Sequence, residues 1–202
     1  MATSNTAIAN MALSHIGVGK VIANLETEQS EEAAACRVFY DEALDATLRD
    51  FSWPFAKKYA TLNLVASSPN DEYLYSYRYP SDCVAVRKIL SGTRNDTRQS
   101  RIHYTVAYDS TGRLIFTDEQ TAKAIYTVRV EDPALYPSDF TMALSYRLAA
   151  LVSPRVTKGD PFKMKEGLMK LYAMEISRAM ATSINEGQDE EEPNSEFIRT
   201  RE

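Results

Sequence analysis

Histidine and cysteine are scarce in this chain of 202 residues, with two of each, and there is a single tryptophan. Neither His15 nor His103 has a cysteine or a second histidine at metal-ligand spacing, so the pattern of a zinc site is missing. Cys36 and Cys83 lie far apart and each falls on an apolar face. Two free core thiols are expected rather than a disulfide. No Gly-rich loop with a phosphate lysine, no Gly-x-Ser-x-Gly and no His-Glu-x-x-His occurs. Apolar runs stay well short of the roughly 18 residues that span a bilayer, so no membrane segment is expected. Met1 to Thr6 holds no basic residue before a weakly apolar run, and no secretory leader is expected. Catalytic, metal and cofactor chemistry therefore find no constellation, and the sequence predicts a non-enzymatic protein with no cofactor.

Charge is the next shortage. The formal net charge is −5. Residues 186–202 hold seven acidic and two basic side chains, which accounts for all of it. The preceding residues sum to zero and exert no net pull on a nucleic-acid backbone.

What is present is a core and an order of elements. Apolar residues make up 44% of the chain, enough for one domain, or one with a modest insertion. A first helix is predicted from Ser4, Asn5 or Thr6, with Ile8, Met11, Ala12 and Ile16 on one face, ended by Gly17-Val-Gly19. A loop over 18–29 should pin Ile22 and Leu25 inward. A second helix starts at the N-cap Ser30, with Glu31 and Glu32 at the favourable end of its dipole. Cys36, Tyr40, Ala43, Leu44, Thr47, Leu48 and Phe51 trace its buried stripe. Arg37, Asp41, Glu42, Asp45, Arg49 and Asp50 cover the other side. Pro54 restricts Trp53 to extended geometry, so this helix should end by about Ser52.

Period two takes over beyond residue 60. Strands are predicted around Leu62 and Leu64, along Tyr73, Tyr75, Tyr77 and Tyr79, from Val84 and Val86, along Ile102, Tyr104, Val106 and Tyr108, over Leu114 to Phe116, and from Ala122 to Val130. Ser67 to Asp71, Pro80 to Asp82 and Asp109 to Gly112 read as turns, and residues 91–100 as a polar loop. A small antiparallel sheet or barrel of about five or six strands is expected. Helices return after Pro137. Ser138 should cap a helix over Asp139–Val152, apolar nearly all round and therefore central, which Ser153-Pro154 stops or kinks. Asp160 and Pro161 open a fourth helix, with Met164, Leu168, Leu171, Tyr172, Ile176 and Ala179 inward. The predicted fold is α+β: a helical bundle (1–60 and 136–187) with an inserted antiparallel β domain (61–135) and a flexible C-terminal arm (188–202). That arm joins the acidic run Asp189 to Glu192 to Phe197, Ile198, Arg199 and Arg201, read either as an ordinary frayed terminus or as a docking peptide that orders on a partner.

Several residues invite functional readings beside plainer ones. His15 is expected at the surface or in a cap, and His103 on a solvent face. Asp41, Glu42 and Asp45 form a charged outer face rather than a cation site. Glu175 is placed to pair with Arg147 across the bundle. Trp53, Pro54 and Phe55 form a hydrophobic plug between bundle and sheet, or alternatively an exposed ledge for a partner. The four tyrosines from Tyr73 bury aromatic area while keeping their hydroxyls near water. Arg94, Arg98 and Arg101 gather positive charge at the polar loop, read as a solvated loop or, alternatively, as a contact for nucleic acid or an acidic protein surface.

Five segments, in order, resemble a known family. They are Ala9-Asn-Met-Ala-Leu-Ser-His-Ile-Gly17; Ala35-Cys-Arg-Val-Phe-Tyr-Asp-Glu-Ala-Leu-Asp45 leading to Leu48-Arg-Asp-Phe-Ser-Trp-Pro-Phe-Ala56; Tyr77-Arg-Tyr-Pro-Ser-Asp-Cys83 with Val86-Arg-Lys88; Tyr136-Pro-Ser-Asp-Phe140 with Leu144, Leu148 and Ala149; and Phe197-Ile-Arg-Thr-Arg201. Across nearly its full length the chain resembles the head-to-tail adaptors of short-tailed bacteriophages, the tail tubular protein A type. Pro54 stands where that family commonly has Asn, and Phe197 where it often has Trp. The resemblance implies a virion protein of the head–tail interface, assembled in the host cytoplasm. It implies a ring of roughly twelve copies, with two different faces meeting head to tail. The portal ring would sit above, a tail nozzle or tail-tube protein below, and double-stranded DNA would pass through the lumen. The arm with Phe197, Ile198, Arg199 and Arg201 would be its portal-docking element. A DNA-binding accessory module of a phage particle is the alternative.

Overall fold

The computed structural model describes residues 4–67, 72–92, 101–157 and 160–186. The fold is α+β: four helices and two small antiparallel sheets among these residues. Helix α1 (Asn5–His15) starts where the Ser4 side chain accepts from Ala7 N. It stops because Gly17 takes φ +75°, which frees Gly17 N to bond Ser14 O and Val18 N to bond Leu13 O. Its buried side is Ile8, Ala9, Ala12 and Leu13, while Met11 is half-buried rather than inward.

The following loop is held by side chains. Asn10 brackets the backbone of Ile22, with its Oδ1 accepting from Ile22 N at 2.8 Å and its Nδ2 donating to Ile22 O at 2.9 Å. Arg37, placed on the outer face by its spacing, instead donates to Leu25 O and Glu28 O, both at 2.6 Å. Ile22 and Leu25 are buried as a result.

Helix α2 (Glu31–Asp50) has Ser30 as its N-cap and buries the predicted stripe, with Phe51 partly covered beyond its end. A short 3-10 turn, Pro54–Ala56, leads into the sheets. Among the described residues seven strands follow: β1 (Lys57–Thr61), β2 (Leu64–Ser67), β3 (Tyr75–Arg78), β4 (Cys83–Leu90), β5 (Tyr104–Asp109), β6 (Gly112–Thr117) and β7 (Lys123–Val128). They form two sheets, in the orders β1-β7-β4 and β2-β3-β6-β5. The expected single sheet is thus two, and the expected strand through Leu62 and Leu64 is split. Leu62 N still bonds Ala122 O, whereas Asn63 O already accepts from Arg78 N, each at 2.8 Å. Leu62 and Asn63 are where the chain changes sheets, so the apparent alternation spans a crossover.

Leu62, Tyr77, Cys83, Ile89, Ile115, Ala122, Ala124 and Tyr126, drawn from both sheets, make one shared core. Tyr77 is buried, and its hydroxyl donates to Glu119 O and Gln120 O, both at 2.7 Å, rather than to water. Its neighbour Ser76 is buried too, paired with Ala66 of β2 on one side and Phe116 of β6 on the other. The turn predicted over Ser67 to Asp71 lies mostly outside the described residues.

Helix α3 (Ser138–Val156) is the central one, touching α1, α2 and α4 (Pro161–Asn185). Ser138 is its first residue and not a side-chain cap; Pro137 occupies that position. Pro154 does not stop the helix. It removes the amide that would bond Ala150 O, and the hydroxyl of Ser153 donates to that carbonyl instead, at 3.2 Å. Helix α4 opens on Asp160, which accepts from the amides of Phe162 and Lys163. It buries Leu168, Tyr172, Ile176 and Ala179, but Met164 and Leu171 are exposed, since the helix packs chiefly along α3 alone.

Candidate functional site

The junction between helices and sheets collects the sequence-predicted aromatics. Trp53 is 1% exposed. Its indole N–H donates to Thr47 O at 3.0 Å, and its ring meets Phe140 edge-on at 5.0 Å between centroids. Phe55, half-buried, meets Phe140 at 4.9 Å and Tyr136 at 5.8 Å. Pro54 opens the turn that aims both rings inward. Trp53 and Phe55 are therefore packed inward and form no exposed ledge, while Pro54 itself is exposed.

Beside the plug, Arg87 of β4 reaches the end of α2. Its Nη2 donates to Leu48 O (2.9 Å), Arg49 O (3.0 Å) and Phe51 O (2.6 Å), and its Nε to Thr127 Oγ1 at 2.8 Å. A helix C-terminus leaves its last carbonyls unpaired and partly negative, and one guanidinium answers both needs. Burial holds the Arg87 pKa below its usual value. Sequence reasoning missed this role, because the partner carbonyls are distant in the chain and carry no side-chain signature.

A cleft of about 430 Å³ opens at the same junction, between α2 and the β3–β4 turn. Arg49 and Asp45 line one wall, Tyr79 to Val84 another, and Arg113 and Arg129 complete it. Arg129 reaches Asp41 at 2.7 Å and Asp45 at 3.5 Å. A guanidinium therefore sits between the carboxylates that a divalent cation would need, and among the described residues no group of metal-ligating side chains occurs. Burial raises the Asp45 carboxyl pKa more than Arg129 lowers it. Asp82 is taken by Lys58 at 2.5 Å and by the Tyr126 hydroxyl at 3.0 Å. Arg113 lies over the rings of Tyr79 (5.4 Å) and Tyr108 (5.9 Å), and burial pushes the Tyr79 phenol up to about 12.

Two polar contacts tie the helices together, and both depart from expectation. Arg147 pairs with Asp50 at 2.7 Å, not with Glu175, and also donates to the Tyr172 hydroxyl at 2.7 Å. That hydroxyl in turn donates to Asp50, and burial first, then this bond, raises its pKa. His15 is half-buried rather than at the surface. Its ring stacks on Tyr146 at 3.9 Å, and its Nε2 lies 2.9 Å from Ser145 Oγ. Since the Ser145 hydroxyl donates to Met142 O at 2.7 Å, it accepts from the imidazole, which fixes the neutral tautomer with its proton on Nε2. Burial lowers the His15 pKa. His103 is exposed, and Cys36 and Cys83 are free and buried.

Arg101 is exposed, whereas Arg94, Arg98 and the arm residues Phe197, Ile198, Arg199 and Arg201 lie outside the described residues. The outward side of α4 is a surface the sequence did not foresee. Lys163, Lys170, Met174 and Arg178 follow one another along it at helical spacing, and all are exposed. Phe162 (80% exposed), Met174 (69%) and Ile184 (51%) leave large apolar area in solvent. Among the described residues, no helix is long and apolar enough to cross a membrane.

Compared with models of known protein families and with curated proteins, the chain matches none.

Proposed function

We propose that the chain is a structural connector of a short-tailed bacteriophage particle and not an enzyme: a head-to-tail adaptor that forms a ring between the portal and the tail nozzle. Double-stranded DNA passes through that ring during packaging and ejection. The observation that carries this reading is the outward side of α4, a 25-residue helix packed along one neighbour with Phe162, Met174 and Ile184 left in solvent. Exposed apolar and basic side chains along one helix are what a neighbouring subunit or ring covers. The resemblance of the five sequence segments supports the same reading, and so does the zero charge of residues 1–185, which leaves the phosphates of a passing duplex ungripped.

Mass measurement of the free protein, and then of its mixture with the portal, tests the assignment. A defined multimer alone or on the portal is expected, and a monomer in both conditions overturns it. Removal of residues 188–202 should abolish portal attachment while the body stays folded; undiminished attachment removes the role given to Phe197, Ile198, Arg199 and Arg201. Tight DNA binding by the isolated protein at physiological salt would favour the accessory DNA-binding module instead.

A further inference from the structure

We propose that the cleft between α2 and the β3–β4 turn is a receptor for an acidic peptide segment, its carboxylates taken by Arg49 and Arg113, and that the segment is this chain's own run Asp189 to Glu192. The cleft does not depend on the connector reading, although its proposed occupant lies in the arm that reading assigns to the portal.

Three observations carry it. The first is the pairing around the cleft. Among the described residues, Asp41 and Asp45 have Arg129 and Asp82 has Lys58, while neither Arg49 nor Arg113 meets a carboxylate at ion-pair distance. The second is preorganisation. Stacking over Tyr79 and Tyr108 holds the Arg113 guanidinium in place, so its planar fork loses little freedom on pairing with a planar carboxylate. The third is shape and charge. A concavity of about 430 Å³ admits one or two side chains, and Pro80 and Val84 offer apolar contact to the methylenes of a glutamate. All the unbalanced negative charge of the chain lies in residues 186–202.

The same features disfavour a DNA phosphate. A duplex presents a row of anions and needs a continuous basic track, whereas Asp45 and Asp82 interrupt this one. A duplex backbone also enters a narrow concavity poorly, while a single extended peptide enters readily.

Fluorescence anisotropy with a labelled peptide spanning residues 187–196 tests the site. The receptor is the full chain with its own run neutralised (Asp189→Asn, Glu190→Gln, Glu191→Gln, Glu192→Gln), so that nothing competes from within. Saturable, salt-sensitive binding is expected, weakened about tenfold by Arg49→Gln or by Arg113→Gln, each removing one charge-assisted pair. Arg113→Lys, which keeps the charge but loses the fork, should fall between. Both side chains are exposed, so an unchanged thermal midpoint checks that the variants fold. A peptide whose acidic residues are replaced by amides should not bind. The proposal is overturned by no saturable binding, by equal binding to the arginine variants, or by a short DNA duplex that displaces the peptide through the same two arginines.

Discussion

The guanidinium of Arg87 lies 2.6 Å from the carbonyl oxygen of Phe51, across 36 residues of chain. Together with its bonds to Leu48 O and Arg49 O, this contact closes the end of α2 with a side chain from a strand. Replacing Arg87 by methionine keeps most of the stem but leaves these carbonyls and Thr127 Oγ1 without their donor. A loss of about 3 kcal/mol is expected, measured as a shift of the urea midpoint at constant slope. Arg87→Lys should recover only part of it, because an ammonium cannot span the same fan of acceptors. A loss below about 0.5 kcal/mol for Arg87→Met would remove the capping role.

Trp53 joins α2 to Phe140 on α3 and is buried. Trp53→Ala should cost about 4 kcal/mol by leaving a cavity among Phe51, Phe55 and Phe140. Trp53→Phe refills most of that space and loses the bond to Thr47 O, for about 1–2 kcal/mol. Equal effects of the two substitutions in chemical denaturation would show that packing is not what Trp53 contributes.

His15 gives a pH dependence of definite sign. Its pKa is lowered from 6.5 by burial, so the unfolded chain takes up its proton first as pH falls. The stability from neutral His15 is complete above about pH 6.5 and is lost as pH drops through that value toward the folded pKa. His15→Gln removes this contribution to the slope. Thermal midpoints measured between about pH 7.5 and 5.5 should fall more steeply for the native chain than for the variant. Parallel curves would mean that His15 titrates alike in both states.

Asp50, Arg147 and Tyr172 bring α2, α3 and α4 to one point. The Arg147 guanidinium also lies 4.7 Å from the centre of the Tyr172 ring. Because the contacts share atoms, their effects should not add. A double-mutant cycle of Asp50→Asn and Tyr172→Phe is expected to show a coupling of about 1 kcal/mol. Additive single effects would show that the phenol and the carboxylate act separately.

Local chemistry was legible. Ser4, Ser30 and Asp160 cap helices because a side-chain oxygen at that position answers open amides nearby in the chain. Gly17 stops α1 because a residue without Cβ takes positive φ at little cost. The buried stripe of α2 and the central character of α3 followed from spacing and composition. Most strand positions followed from alternation, but β1 over Lys57–Thr61 was not expected and the division between two sheets was not legible. Leu62 and Leu64 alternate whether or not the chain crosses between them, and only the partners Ala122 and Arg78 distinguish the cases. Pro154 misled for a related reason: the rule concerns a lost amide, and Ser153 replaced the bond.

By itself the sequence determined most of the helices and strands, the caps at Ser4, Ser30 and Asp160, the buried stripe of α2, and that negative charge gathers in the last residues. Those properties depend on neighbours within a turn or two of helix, or on a period of two. Tertiary structure alone decided that Arg87 caps α2, that Arg147 chooses Asp50 over Glu175, that His15 of α1 stacks on Tyr146 of α3, and that Arg49 and Arg113 border a cleft. Each of these is a pairing between distant positions. Many arginines and many carboxylates satisfy the same chemistry, and only the packed backbone brings one particular pair within a few ångströms.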